Sequence, residues 1–133
     1  MDVASLPWVP VAGCRAPTVW RERDGIGVLD QTLLPYERAT RHLSSVDQVA
    51  EAIRVMRVRG APLIGATAAY GVAIAMTVDA GDAALDAAVA LLGGTRPTAV
   101  NLHWALERMA GRLRPLPVAD RPVVAWAEAE AIA

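Results

Sequence analysis

Apolar and polar positions follow two different rhythms along this chain. Near the start, PTVWRERDGIGVLD (residues 17–30) puts Val19 and Trp20 ahead of a polar run, and Ile26, Val28 and Leu29 return after it. Asp24-Gly25 is a favoured turn pair, so the segment predicts a β-hairpin. QTLLPYE breaks the pattern at Pro35, and a short loop or a third strand is expected next. From residue 44 the rhythm turns helical. In SSVDQVAEAIRVMRV (44–58), Val46, Val49, Ala50, Ile53 and Met56 recur at helical spacing, with Glu51 and Arg54 off that stripe. Ser45 and Gln48 make a capping box at its start, and Gly60 offers a stop.

MRVRGAPLIGATAAYGVAIAM (56–76) departs from both rhythms, because almost every position is small and apolar. A helix is predicted from Pro62, since proline suits the first helical turn, to about Thr77. Residues 60–78 carry no charge, which raises a membrane span as one reading. The Ala and Gly content, with Thr67, Tyr70 and Thr77 inside, favours a central buried helix instead. Gly65 and Gly71 each lower helix propensity by about 1 kcal/mol relative to alanine, so neighbouring backbone is expected to pack close there. A third helix is predicted over 79–94 with an Asp cap and a Gly-Gly stop, and a fourth from Pro97 to about Leu113. RPLPVADRP reads as a loop, and VVAWAEAEAIA opens a fifth helix that reaches Ala133 without a cap or breaker. The expected fold is α+β: a small antiparallel hairpin or three-stranded sheet followed by a bundle of about five helices. The uncapped end leads us to expect a chain cut from a longer protein.

Composition narrows the chemistry. With 133 residues, 54% of them hydrophobic and 20% charged, the chain suits one globular domain. Its net charge of −1 gives no electrostatic reason to expect nucleic acid or a membrane as partner. All thirteen basic side chains are arginine. Without lysine, neither a Schiff base nor a Walker-type loop can form, so an anion site must use guanidinium or backbone N–H groups. The single cysteine, Cys14, leaves no internal disulfide. His42 and His103 lack neighbours at metal-ligand spacing, and neither a metal nor a cofactor is expected. MDVASLPWVPVAG has no basic region followed by an apolar one, so no signal peptide is predicted and a cytoplasmic location is the expectation.

Two arginines stand at predicted helix starts: Arg59 three residues before Pro62, and Arg96 immediately before Pro97. A helix start offers unpaired N–H donors and about half a positive charge, and a guanidinium adds a planar fork for phosphate oxygens. Gly60 and Ala61 are too small to block a ligand from the backbone. If the two starts lie side by side, they form a phosphate clamp; the alternative is two loop arginines paired with carboxylates. Cys14 has no partner for nucleophilic chemistry, and His103 beside Trp104 suits packing. Asp30 and Gln31 at the end of the hairpin are within reach of a site, with strand-end capping the favoured role. Trp8, Trp20, Trp104 and Trp126 are too scattered to make a stacking platform.

LDQTLLPYE, AEAIRVMRVRGAPLIGATAAYGVAIA and TRPTAVNLHWALERM, in that order, resemble the N-terminal part of the S-methyl-5-thioribose-1-phosphate isomerase family. The wider group includes ribose-1,5-bisphosphate isomerases and the regulatory subunits of translation initiation factor 2B. The resemblance spans roughly residues 19–132, with DQTLLP and RPTAVNL pointing to the methylthioribose enzymes. It implies an aldose–ketose isomerase of methionine salvage that uses neither cofactor nor metal. By the family pattern, Arg59, Gly60, Ala61 and Arg96 contact the substrate. The family's essential cysteine and aspartate belong to a C-terminal Rossmann-like domain, which implies no catalytic residue in this chain and no activity for it alone. Residues 1–16 would be an extension and 17–133 the substrate-binding domain. The implied partners are a small sugar phosphate and, in the full-length family, a second copy of the chain, or else a separate C-terminal half. Leu63 stands where the family usually has alanine. The alternatives are a non-enzymatic initiation factor 2B-like module and a ribose-1,5-bisphosphate isomerase-like protein.

Overall fold

Alternation in the hairpin sends Ile26 and Val28 to one side of a strand, where both are lost to solvent. A computed structural model describes residues 19–23, 25–30, 40–55, 57–58 and 60–133. Strands β1 (Val19–Glu22), β2 (Gly25–Leu29) and β3 (Thr40–Leu43) form an antiparallel sheet with β2 in the middle. The register pairs Glu22 with Gly25 and Ile26 with Leu43. Gly25, expected in the turn, therefore belongs to the strand, and Asp24 lies outside the described residues. A Cβ on Gly25 would lie 2.0 Å from the Leu43 carbonyl oxygen, so close approach of β3 requires that glycine. Gly27 lies beneath the Trp20 ring, which is why β2 is buried throughout.

The first helix, α1 (Val46–Arg54), is shorter than its apolar stripe suggested. Ser45 Oγ accepts from the Gln48 amide at 3.2 Å, while Gln48 Oε1 accepts from the amide of Ser44, one residue before the usual capping-box partner. Helical hydrogen bonding gives way after Val55, because the Arg57 and Val58 amides both turn back to the Ala52 carbonyl. That unwinding seats Val58 fully in the core.

Four more helices follow: α2 (Ala61–Val78), α3 (Asp82–Gly93), α4 (Val100–Leu113) and α5 (Arg121–Ile132), with a 3₁₀ turn at Val118–Asp120 inside the expected loop. Helix α2 packs against all four others, as its small side chains allow. A Cβ on Gly65 would sit 3.0 Å from the Asn101 carbonyl oxygen of α4, so backbone does pack close there. Gly71 instead faces the ends of Leu92 and Val49. Among the described residues no helix is long and apolar enough to cross a membrane; the stretch that raised that question is the core helix. The expected Asp cap on α3 is also different: Asp79 caps the end of α2, and its Oδ1 accepts from the Gly81 amide.

Candidate functional site

Two contacts fix the direction of α2 relative to α4. Near their starts, Gly65 meets Asn101 and Ala105. At their far ends, the single guanidinium of Arg121 donates to the carbonyls of Ala80, Leu113 and Arg114 at 2.8–3.0 Å. Both helices therefore run the same way, with their N-termini side by side. Aligned helices present their partial positive charges at one common end.

Gly60 is the N-cap of α2, with φ 92° and ψ 131°. Only glycine adopts that backbone without strain. It is exposed, nothing lies within 4 Å of where its Cβ would be, and its carbonyl accepts from the Ile64 amide. Helix α2 begins at Ala61 with Pro62 second, and no side chain caps it. Arg59 lies outside the described residues, so its position relative to Arg96 is not part of this geometry. The same holds for Cys14, Gln31 and Trp8.

Arg96 is placed differently from expectation. Helix α4 starts at Val100, not at Pro97, so Arg96 precedes it by four residues. Residues 96–99 form a turn closed by the Ala99 amide on the Arg96 carbonyl, 3.0 Å, and His103 Nε2 lies 2.9 Å from the Pro97 carbonyl. That side-chain bond holds the proline turn off the helix, which explains the late start and gives His103 a structural partner. Among the described residues, the half-buried Arg96 has no carboxylate partner, and Arg23 and Arg112 likewise have none.

An open cavity of about 340 Å³ lies at this end, lined by Pro62, Gly65, Asn101, Trp104 and Ile132. A larger one, about 580 Å³, lies between β3 and α1 and includes Arg41, Asp47, Glu51 and Arg57. Its basic groups are already engaged. Asp30, fully buried, holds Arg41 Nε at 2.5 Å and Arg57 Nε at 3.3 Å from Oδ2. Sequence reading treated Asp30 as a strand end and missed this centre; a carboxylate directly after three apolar strand positions was the available signal.

Resolved shifts in acidity lie elsewhere. Hydrogen bonding from His42 holds Glu22 below its ordinary value, assisted by Trp20 and opposed by partial burial. Burial, with Glu130 adding to it, raises Tyr70. No group of three or more potential metal ligands occurs among the described residues.

No family model matches the chain. Methylthioribose-1-phosphate isomerase of Rhodospirillum centenum is 54% identical over 125 residues, covering 92% of this chain and 33% of that protein. The crystal structure of 5-methylthioribose 1-phosphate isomerase from Pyrococcus horikoshii OT3 superposes with a TM-score of 0.80 at 34% identity, over 100% of this chain and 39% of that one. The delta subunit of translation initiation factor eIF-2B from A. fulgidus gives 0.79 at 35% identity, over 86% of this chain and 36% of that one. The chain spans about a third of the length of the curated isomerases it matches. Sharing more than half of its aligned positions with them across most of its length, it belongs to the methylthioribose-1-phosphate isomerase family.

Proposed function

We propose that this chain is the phosphate-holding part of an aldose–ketose isomerase that converts S-methyl-5-thio-α-D-ribose 1-phosphate to S-methyl-5-thio-D-ribulose 1-phosphate. The observation that carries the proposal is the pairing of two uncapped helix starts, α2 and α4, with Arg96, unpaired among the described residues, just ahead of one of them. The names of the relatives supply the substrate. Arg59, Gly60, Ala61 and Arg96 are the residues assigned to the phosphate: two guanidinium forks and an unobstructed stretch of backbone. No side chain competes at Gly60, so phosphate oxygens can reach the free amides beyond it.

The chemistry explains why such a grip is useful. A phosphate on the anomeric oxygen prevents the sugar from opening as a free aldose does. Holding it positions C1 and C2, and binding energy from the non-reacting phosphate can be expressed in the transition state. Moving hydrogen between those carbons needs an acid or base. In this proposal those groups belong to the two-thirds of the relatives that this chain does not span.

Calorimetric titration of the 133-residue chain with S-methyl-5-thioribose 1-phosphate tests the reading. Arg96→Ala and Arg59→Ala should each weaken binding roughly 10- to 100-fold, the range for a charge-assisted contact. Unchanged affinity in both variants would remove the clamp, and turnover by the 133-residue chain alone would overturn the division of labour. The likeness to the initiation factor 2B subunit supports a second reading, a binding module without chemistry. Ligand binding with no turnover when the remaining two-thirds of an isomerase relative is added would favour it.

A further inference from the structure

We infer that Asp30 is a positioning residue for the arm that leads into α2, whose described residues are 55, 57, 58 and 60, and through that arm for the phosphate site; the second half rests on the function proposed above. Gly60 has little packing of its own to hold it, being exposed with nothing near its Cβ position. The arm's fixed points lie just upstream. The Arg57 amide donates to the Ala52 carbonyl at 2.9 Å, Val58 is fully buried, and the Arg57 guanidinium reaches Asp30. Gly60 is three positions on from Arg57, at most about 10 Å of chain, so a shift at Arg57 is passed on to Gly60.

Among the described residues two guanidinium groups meet Asp30, and they have different jobs. Arg41 sits on β3 in register with Val28, so its bond stays within the sheet. Arg57 belongs to the arm, so its bond ties sheet to helix start. The latter is an ion pair without an aligned hydrogen bond: Arg57 Nε is buried, 3.3 Å from Oδ2, and has no acceptor in line. Charge rather than directional bonding therefore holds the arm. An asparagine of nearly equal shape would release it.

The test compares the unaltered 133-residue chain with Asp30→Asn, Arg57→Gln and Arg121→Ala. Arg121→Ala serves as a control, because it loosens the opposite end of the helices. Amide exchange at Arg57, Val58 and Gly60 should quicken about tenfold or more in Asp30→Asn and Arg57→Gln, with Leu102–Leu113 unchanged. Affinity for S-methyl-5-thioribose 1-phosphate should fall about five- to tenfold in these two and remain unchanged in Arg121→Ala. Should Asp30→Asn fail to fold, Arg57→Gln decides, since it leaves Asp30 paired with Arg41. Unchanged exchange over 57–60 in folded variants overturns the inference, as does an affinity loss matched by Arg121→Ala. If the unaltered chain binds nothing, the phosphate reading fails, and exchange over 57–60 alone decides whether Asp30 positions the arm.

Discussion

The two ends of the α2–α4 pair use the same residue type in opposite ways. At the C-terminal end, Arg121 is 3% exposed, and its guanidinium serves three backbone carbonyls and the Asp82 carboxylate. It ties the α2–α3 connection to the α4–α5 connection, in the place where helix dipoles are negative and carbonyls lack partners. At the N-terminal end, Arg96 stands in a turn with no acid partner among the described residues, beside helix starts that no side chain caps. One end is saturated and closed; the other keeps its donors unspent. A cation among orphan carbonyls completes a fold, whereas a cation among orphan N–H groups adds positive charge to positive charge and is stabilised by an anion from outside.

If that contrast is correct, Arg121→Ala should have the largest effect on stability. Leaving the Ala80 and Arg114 carbonyls without the guanidinium, and the Leu113 carbonyl with only the Leu116 amide, should cost about 3 kcal/mol, visible as a lower urea midpoint. Gly65→Ala should come next. Its new methyl meets α4 backbone at 3.0 Å and should cost about 1–3 kcal/mol. Gly71→Ala is the matched comparison, since Leu92 and Val49 side-chain ends can move and alanine favours helix by about 1 kcal/mol. Its net change should be under about 1 kcal/mol; equal losses at both glycines would show that the N-terminal ends are not in close contact. Arg96→Ala should alter stability by no more than about 0.5 kcal/mol, in contrast to Arg121. A large loss there would mean that Arg96 is structural and would erase the difference between the two ends.

The smallest expected effect is electrostatic and lies on the sheet. Glu22 has a folded pKa below its ordinary 4.5, mainly through its hydrogen bond with His42. The resulting stabilisation is present above about pH 4.5 and is lost as pH falls through the lower folded value. Glu22→Gln should therefore lower the urea midpoint at pH 7 and match the parent protein at strongly acidic pH. The pair is partly solvated, so the difference should stay under about 1 kcal/mol. A gap that widens on acidification would contradict the sign.

Much of this was legible from residues alone, for reasons that can be named. Helix α2 announced itself because a run of Ala and Gly beginning near proline has few other stable uses, and Ser45 with Gln48 marked the start of α1. Gly25 was misplaced by one residue because its glycine serves β3, whose approach no local pattern records. Helix α4 was started three residues too early because a proline at 97 looks like a first turn until His103 is seen holding its carbonyl. The end of α1 was missed because the apolar stripe runs on to Met56, while the Arg57 and Val58 amides turn back to the Ala52 carbonyl. Arg96 was singled out from its place before a proline, although its setting is a turn and not a helix terminus. Asp30 was undervalued because its partners, Arg41 and Arg57, are 11 and 27 positions away.

The sequence by itself determined which segments become strands and helices, which helix is central, and the family to which the chain belongs. Those properties follow from local spacing and from residue size, both readable in order along the chain. Tertiary structure alone decided that α2 and α4 run in the same direction, that Arg121 is consumed while no described acid meets Arg96, and that Asp30 joins the sheet to the arm before Gly60. Each of these depends on which backbone groups and charges meet across many residues. Charge pairing and orphaned hydrogen-bond groups are matters of distance in space, and a linear chain does not state that distance.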